Sequence, residues 1–111
     1  MSARLPGPKY KAVFDRGRSV KGRLMAAWFL AGPDASEAAG VVVSKRTFHD
    51  AVDRNRAKRL MREAYRLLLK EGSAPERTEW VFVARTAIGG KMCADVKEEM
   101  KWLFSRASRH R

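Results

Sequence analysis

The chain has 111 residues and a single cysteine, Cys93. That is room for one small domain, with no internal disulfide and no cysteine-rich metal site. Twenty-four Lys and Arg against twelve Asp and Glu give a net charge of +12, and hydrophobic residues are 45% of the chain. A folded domain so basic repels itself, and a polyanion, nucleic acid above all, relieves that repulsion. The longest apolar stretch, residues 24–31, is far short of the roughly 20 residues needed to span a bilayer. No apolar run follows Met1, so no signal peptide is expected, and the expected location is cytoplasmic.

Along the chain, Pro6 and Pro8 mark residues 1–8 as an irregular, flexible arm. Residues 9–16 carry Tyr10, Val13 and Phe14 at helical spacing and stop at Gly17, which predicts one or two turns of helix. Residues 24–30 read as an apolar strand. Gly32-Pro33-Asp34 is turn chemistry, and the segment to Gly40 reads as a loop. Residues 41–43 are β-branched and read as a buried strand that ends in Ser44-Lys45-Arg46. The region 18–22 could hold a further early strand.

A long helix is expected over residues 51–71, with Asp50 as N-cap and Gly72 as its stop. Ala57, Leu60, Met61, Ala64 and Leu68 form its apolar stripe. After a loop with Pro75, residues 80–84 read as a strand and Ile88-Gly89-Gly90 as a loop. Val96, Met100, Leu103 and Phe104 define a last amphipathic helix. Residues 106–111 read as a basic, frayed tail. This order gives one sheet with helices packed on it, an α/β sandwich of the α+β class.

The long helix carries the chemistry. At about 100° per residue, Arg54, Lys58 and Arg62 lie on one line, with Asn55, Arg59 and Arg66 beside them and Arg56 at the edge. No acid interrupts this face until Glu63. Like charges at i, i+4 destabilise a helix, and cations near its start oppose the macrodipole. Such breaks of local rules concentrate at functional sites. Arginine dominates, which suits forked hydrogen bonds to phosphate. A solvated basic face, the bland alternative, normally interleaves acids with its bases. Asn55, a poor helix former between two arginines, suits a hydrogen bond in fixed register.

The segment VDRNRAKRLMREAYR (residues 52–66) carries an Arg-Asn-Arg-x-Lys-Arg-x-x-Arg-Glu pattern that resembles the signature of the bacterial ribonuclease P protein component. KYKAVFDRG (residues 9–17) is similar to that family's first helix, VSKR (43–46) to a strand end, and VFVAR (81–85) to its last strand. The resemblance spans residues 9–105 as one domain. It departs in residues 47–52, one residue longer than the family's link and without its glycine, and in an N-terminal stretch where only Arg4 is charged. The resemblance implies an αβββαβα domain with a left-handed βαβ crossover, resembling certain ribosomal proteins. It implies the protein subunit of a ribonucleoprotein endonuclease, one protein per RNA subunit. In that enzyme the RNA performs the Mg²⁺-dependent hydrolysis that frees the 5′ end of tRNA, and the protein alone is inactive. By position, Lys45, Arg46 and the basic helix would bind RNA. Tyr10, Phe14 and Trp28 would line a cleft for the single-stranded 5′ leader of precursor tRNA, where bases stack on rings. Ordinary core packing is the competing reading of those three rings. The alternative function is a non-enzymatic RNA-binding module, such as a ribosomal or assembly protein.

Overall fold

A computed structural model describes residues 4–109. The elements run α1 (Gly7–Arg16), β1 (Arg18–Lys21), β2 (Met25–Ala31), β3 (Ala38–Val42), α2 (Ala51–Lys70), β4 (Thr78–Ala84) and α3 (Cys93–Ser108), with a 3-10 turn at Thr86–Ile88 before α3. The αβββαβα order is the expected one. The sheet order is β1-β2-β4-β3, with β2 antiparallel to both neighbours and β3 parallel to β4. Helix α2 is thus the crossover of a βαβ unit between adjacent parallel strands.

Side-chain alternation along the strands makes two unequal layers. Met25, Ala27 and Phe29 of β2, Trp80 and Phe82 of β4 and Val41 of β3 join Met61, Ala64, Tyr65 and Leu68 of α2 and Val96, Met100, Leu103 and Phe104 of α3 in the main core. Trp80 and Phe82 stack in parallel, 5.6 Å apart, and Phe104 tilts onto Trp80 at 4.9 Å. The other face is covered by α1 alone. There Leu5, Val13, Ala38 and Val81 form a small second cluster, edged by Tyr10, Trp28, Leu30, Val42 and Val83.

Several expected boundaries move. Residues 4–8 are not a loose arm. Leu5 is buried, its N–H donates to the carbonyl of Ala39, and α1 starts at Gly7. Pro8 fits inside that first turn because a helix leaves its first N–H groups unpaired anyway. Ala38, Ala39 and Gly40, expected in a loop, belong to β3 and pair with Glu79, Trp80 and Val81. The early strand at 18–21 exists, as the sheet's polar edge. Residues 106–108, expected to fray, continue α3, because Ala107 is buried in the main core. His110 and Arg111 lie outside the described residues, as do residues 1–3. Gly72 ends α2 as expected. It takes φ +78°, and the N–H groups of Gly72 and Ser73 return to the carbonyls of Leu69 and Leu68.

Both sheet edges are protected in different ways. On β3, the Tyr10 hydroxyl accepts the N–H of Val41 at 3.1 Å, and Leu5 takes the carbonyl of Ala39. Gly40 allows this approach, since a Cβ there would lie 2.3 Å from the Tyr10 ring. On β1, the charged Arg18 and Lys21 guard the edge.

Candidate nucleic-acid interface

Burial on α2 follows Ala57, Met61, Ala64, Tyr65 and Leu68. Tyr65 takes a fully buried place, and Leu60, expected in the stripe, is only partly buried. This orientation turns Asn55, Lys58, Arg59 and Arg62 outward, where they line one groove of about 850 Å³ with Arg66, Lys70 and Arg4. None of Asn55, Arg56, Lys58, Arg59 and Arg62 spends its side chain on an ion pair or hydrogen bond among the described residues. The unspent donors of Asn55, Lys58, Arg59 and Arg62 are the ones this groove offers to phosphate oxygens.

Two members of the expected face have other work. The Arg54 guanidinium donates to the carbonyls of Phe48 (3.0 Å) and His49 (2.7 Å), and so clamps the connection into α2. Asp50 sits at the N-cap position but makes no capping hydrogen bond, so Arg54 does the fastening. Upstream, the Ser44 hydroxyl accepts the N–H of Thr47 at 3.2 Å, forming a tight turn. Lys45 and Arg46 are exposed on that turn and do not reach the α2 groove. His49 is exposed as well. Arg66 forks onto Glu63, with Nε–O at 3.3 Å. That bond holds the Glu63 carboxyl below the usual range and raises the Arg66 guanidinium above its own. The face is therefore purely cationic only as far as Arg62. Arg56 lies on the opposite flank, in a smaller depression with Phe48, Asp53 and Gly89.

The groove runs on beyond α2. A second depression joins Arg62 to Arg4, Leu5 and Tyr10 at the β3 edge, and so connects the basic helix with α1. Arg4 and Lys70 were missed in the sequence. Arg4 stood in a stretch read as a loose arm, and the apolar Leu5 beside it was the available signal.

On the α1 face, Phe14 meets Trp28 edge-on, with centroids 5.2 Å apart and planes at 69°. Phe14 is 37% exposed and belongs to neither core cluster, and Trp28 is half-buried. The competing core reading therefore does not fit Phe14. It fits Tyr10 better: that ring packs on Gly40 and its hydroxyl is committed to the backbone of β3. Half-buried Val42 and Val83 continue the floor beside Trp28. Lys9 of α1 reaches the buried Glu79 at 2.9 Å, and Ser36 donates to the same oxygen from its N–H and hydroxyl. This three-way contact fastens α1 over the strands.

This architecture matches known proteins. The family model for ribonuclease P matches residues 5–108. The ribonuclease P protein component of an Exiguobacterium species is 38% identical over 99 residues, covering 89% of this chain and 83% of that protein. That of Pelotomaculum thermopropionicum is 37% identical over 102 residues, covering 92% and 88%. Among solved structures, the ribonuclease P protein of Thermotoga maritima superposes with a TM-score of 0.77 at 23% identity, over 93% of this chain and 96% of that one. The Staphylococcus aureus protein does so at 0.76 and 19%, over 96% of each chain. Both support the fold. Nothing in these matches favours a ribosomal or assembly module. The chain belongs to the ribonuclease P protein family, and its role is that of the protein subunit of a ribonuclease P holoenzyme.

Proposed function

We propose that the cationic groove of α2 seats the ribonuclease P RNA and that the cleft between α1 and the sheet holds the 5′ leader of precursor tRNA. The observation that carries this is the separation of the two surfaces by chemistry. Asn55, Lys58, Arg59 and Arg62 present unspent donors to a phosphate backbone. Phe14 and Trp28 present ring surface to unpaired bases. A structured RNA is bound mainly through its backbone, whereas a single strand binds by stacking. In this reading one protein serves one RNA subunit, in the cytoplasm. Among the described residues no helix is long and apolar enough to cross a membrane. The Mg²⁺ belongs to the RNA. The protein contributes cationic charge that substitutes for part of the ion atmosphere around closely packed phosphates.

The test is reconstitution. The chain is mixed with a bacterial ribonuclease P RNA at a Mg²⁺ concentration where that RNA alone is nearly inactive, and precursor tRNA cleavage is measured. The mixture should cleave and the protein alone should not. Arg59→Ala should weaken RNA binding by ~1.5–3 kcal/mol and make the slope of log K against log salt shallower by roughly one. Cleavage by RNA-free protein, or an unchanged salt slope, would overturn the assignment.

A further inference from the structure

A second aromatic surface lies at the far end of the sheet, outside both RNA surfaces described above. Trp102 of α3 is 49% exposed, although it stands on the helix that supplies Met100, Leu103 and Phe104 to the main core. One side of the indole carries the Arg106 guanidinium, 5.5 Å from the ring centroid. Trp102 also borders a cavity of about 740 Å³ into which Lys21, Arg23, Arg85 and Lys91 converge. These cations come from the end of β1, the β1–β2 turn, the end of β4 and the approach to α3. With Arg106 on the ring, five cations border this region, of which Arg85 donates to the carbonyl of Gly22 at 3.0 Å.

Three acids share the cavity: Asp95, Glu98 and Glu99. Two of them accept backbone N–H groups. Glu99 accepts the N–H groups of Arg23, Leu24 and Met25 at 2.8–2.9 Å, and Asp95 accepts that of Met92 at 2.9 Å. These bonds shape the β1–β2 turn and the start of α3 but leave the carboxylate charges in place. Four cations against three acids line the cavity, so its wall carries a small net positive charge, to which Arg106 on the ring adds. An exposed tryptophan ringed by cations is what a stacked nucleotide requires, since the base takes the ring and the phosphates take the charges.

Lys21 relates the cavity to the α1 face of the sheet. Ser19 lies opposite Trp28 and Lys21 opposite Ala26, so Lys21 is on the cleft face of the sheet. It stands about 7 Å along β1 from the level of Trp28. A strand leaving Trp28 along β1 meets Lys21 next, and Lys21 is already a wall of the Trp102 cavity.

We propose that Trp102 is a second station for the single-stranded 5′ leader, stacking on a base beyond those held at Phe14 and Trp28 while phosphates pass Lys21 and Arg23. This rests on the leader reading of the cleft. The experiment measures the affinity of the holoenzyme, chain plus ribonuclease P RNA, for precursor tRNAs carrying a graded series of leader lengths. Wild type should gain affinity twice, once as the cleft fills and again as the leader reaches Trp102. Trp102→Ala should abolish only the second gain, about tenfold. Trp102→Phe should keep most of it, and Arg23→Glu, which leaves the core untouched, should also remove it. Thermal midpoints are measured for each variant, and if Trp102→Ala is unfolded the Arg23→Glu result decides. Two full gains in Trp102→Ala and Arg23→Glu, or a single gain in wild type, would overturn the second station and leave the cleft standing. An intact first gain in Phe14→Ala would instead sink the cleft reading, and the second station with it.

Discussion

Two sets of aromatic rings lie on opposite faces of one sheet, separated by a single residue of register. Phe29, Trp80 and Phe82 point toward α2 and α3 and are buried. Trp28 points the other way, toward α1, and remains half-buried beside the exposed Phe14. The difference comes from how much helix covers each face. Two helices of 20 and 16 residues close the first face, and one of 10 residues only partly covers the second. The same residue types therefore do different work. Rings on the closed face stabilise the fold, and rings on the open face are left with surface to spend on a ligand.

The sharpest way to break that comparison is to delete one ring from each face. Trp80→Ala should cost ~3–5 kcal/mol, since it empties the centre of a stacked, fully buried cluster. All RNA binding should fall together as the protein unfolds. Phe14→Ala should leave a folded protein and weaken precursor tRNA binding by ~1–3 kcal/mol, with mature tRNA binding unchanged. Thermal unfolding and both affinities are measured for each variant. A Phe14→Ala protein that unfolds like Trp80→Ala, or loses both tRNAs equally, would erase the distinction between the faces.

A smaller effect is expected where α1 is fitted to the sheet. In Gly40→Ala the new Cβ would fall 2.3 Å from the Tyr10 ring, so Tyr10 must move and release the N–H of Val41. Overpacking of this kind costs typically ~1–3 kcal/mol. Because the strain falls on α1, leader binding should suffer more than binding to the ribonuclease P RNA. A variant with both affinities reduced in parallel would show that α1 and α2 are not separable layers.

Smaller still is a pH effect on the same layer. Burial pushes the Glu79 carboxyl up, but the bonds from Lys9 and Ser36 outweigh it and hold it below its ordinary 4.5. A carboxyl depressed by folding stabilises the fold above its unfolded value, and that contribution is lost as pH falls through the folded one. Below about pH 4.5, the thermal midpoint of wild type should fall more steeply than that of Glu79→Gln. Parallel curves would mean that the Lys9–Glu79–Ser36 contact does not hold α1 down.

The sequence carried the closed face far better than the open one. Helix α2 was legible because its apolar period repeats from Ala57 to Leu68 and its stop, Gly72, needs positive φ. Ala38-Ala39-Gly40 has weak strand propensity and became a strand only through pairing with β4, a partner some forty residues away. β1 was ambiguous because Val20 is its one buried residue. At the candidate site, charge sign and helical phase put Lys58, Arg59 and Arg62 on one face, and all three line one groove. The clamp by Arg54 depends on where two loop carbonyls fall, which no pattern encodes. The surroundings of Trp102 come from separate segments of the chain, so no window of sequence contains them.

The smallest expected effect concerns the side chain in which the closed face and the basic groove touch. Tyr65 is 1% exposed and tilts against Phe82, with ring centroids 6.0 Å apart. Its backbone helix carries the groove, and Tyr65 itself lies along the groove's floor. Yet its buried hydroxyl has no hydrogen-bond partner among the described residues. Burial accordingly pushes its pKa well above the ordinary tyrosine value, with the Glu37 charge adding to the shift. A buried hydroxyl without a partner carries a desolvation penalty that the ring's packing must offset. Removing the oxygen keeps the ring and removes the penalty, so Tyr65→Phe should be neutral or stabilising, by no more than ~1–2 kcal/mol. Affinity for the ribonuclease P RNA should not change, because Asn55, Lys58, Arg59 and Arg62 keep their positions. A loss of RNA affinity without a loss of stability would move Tyr65 from the closed face to the groove. It would mean that the hydroxyl turns outward to a phosphate when RNA is bound, and that the boundary between packing and recognition on α2 runs one residue deeper than its burial pattern suggests.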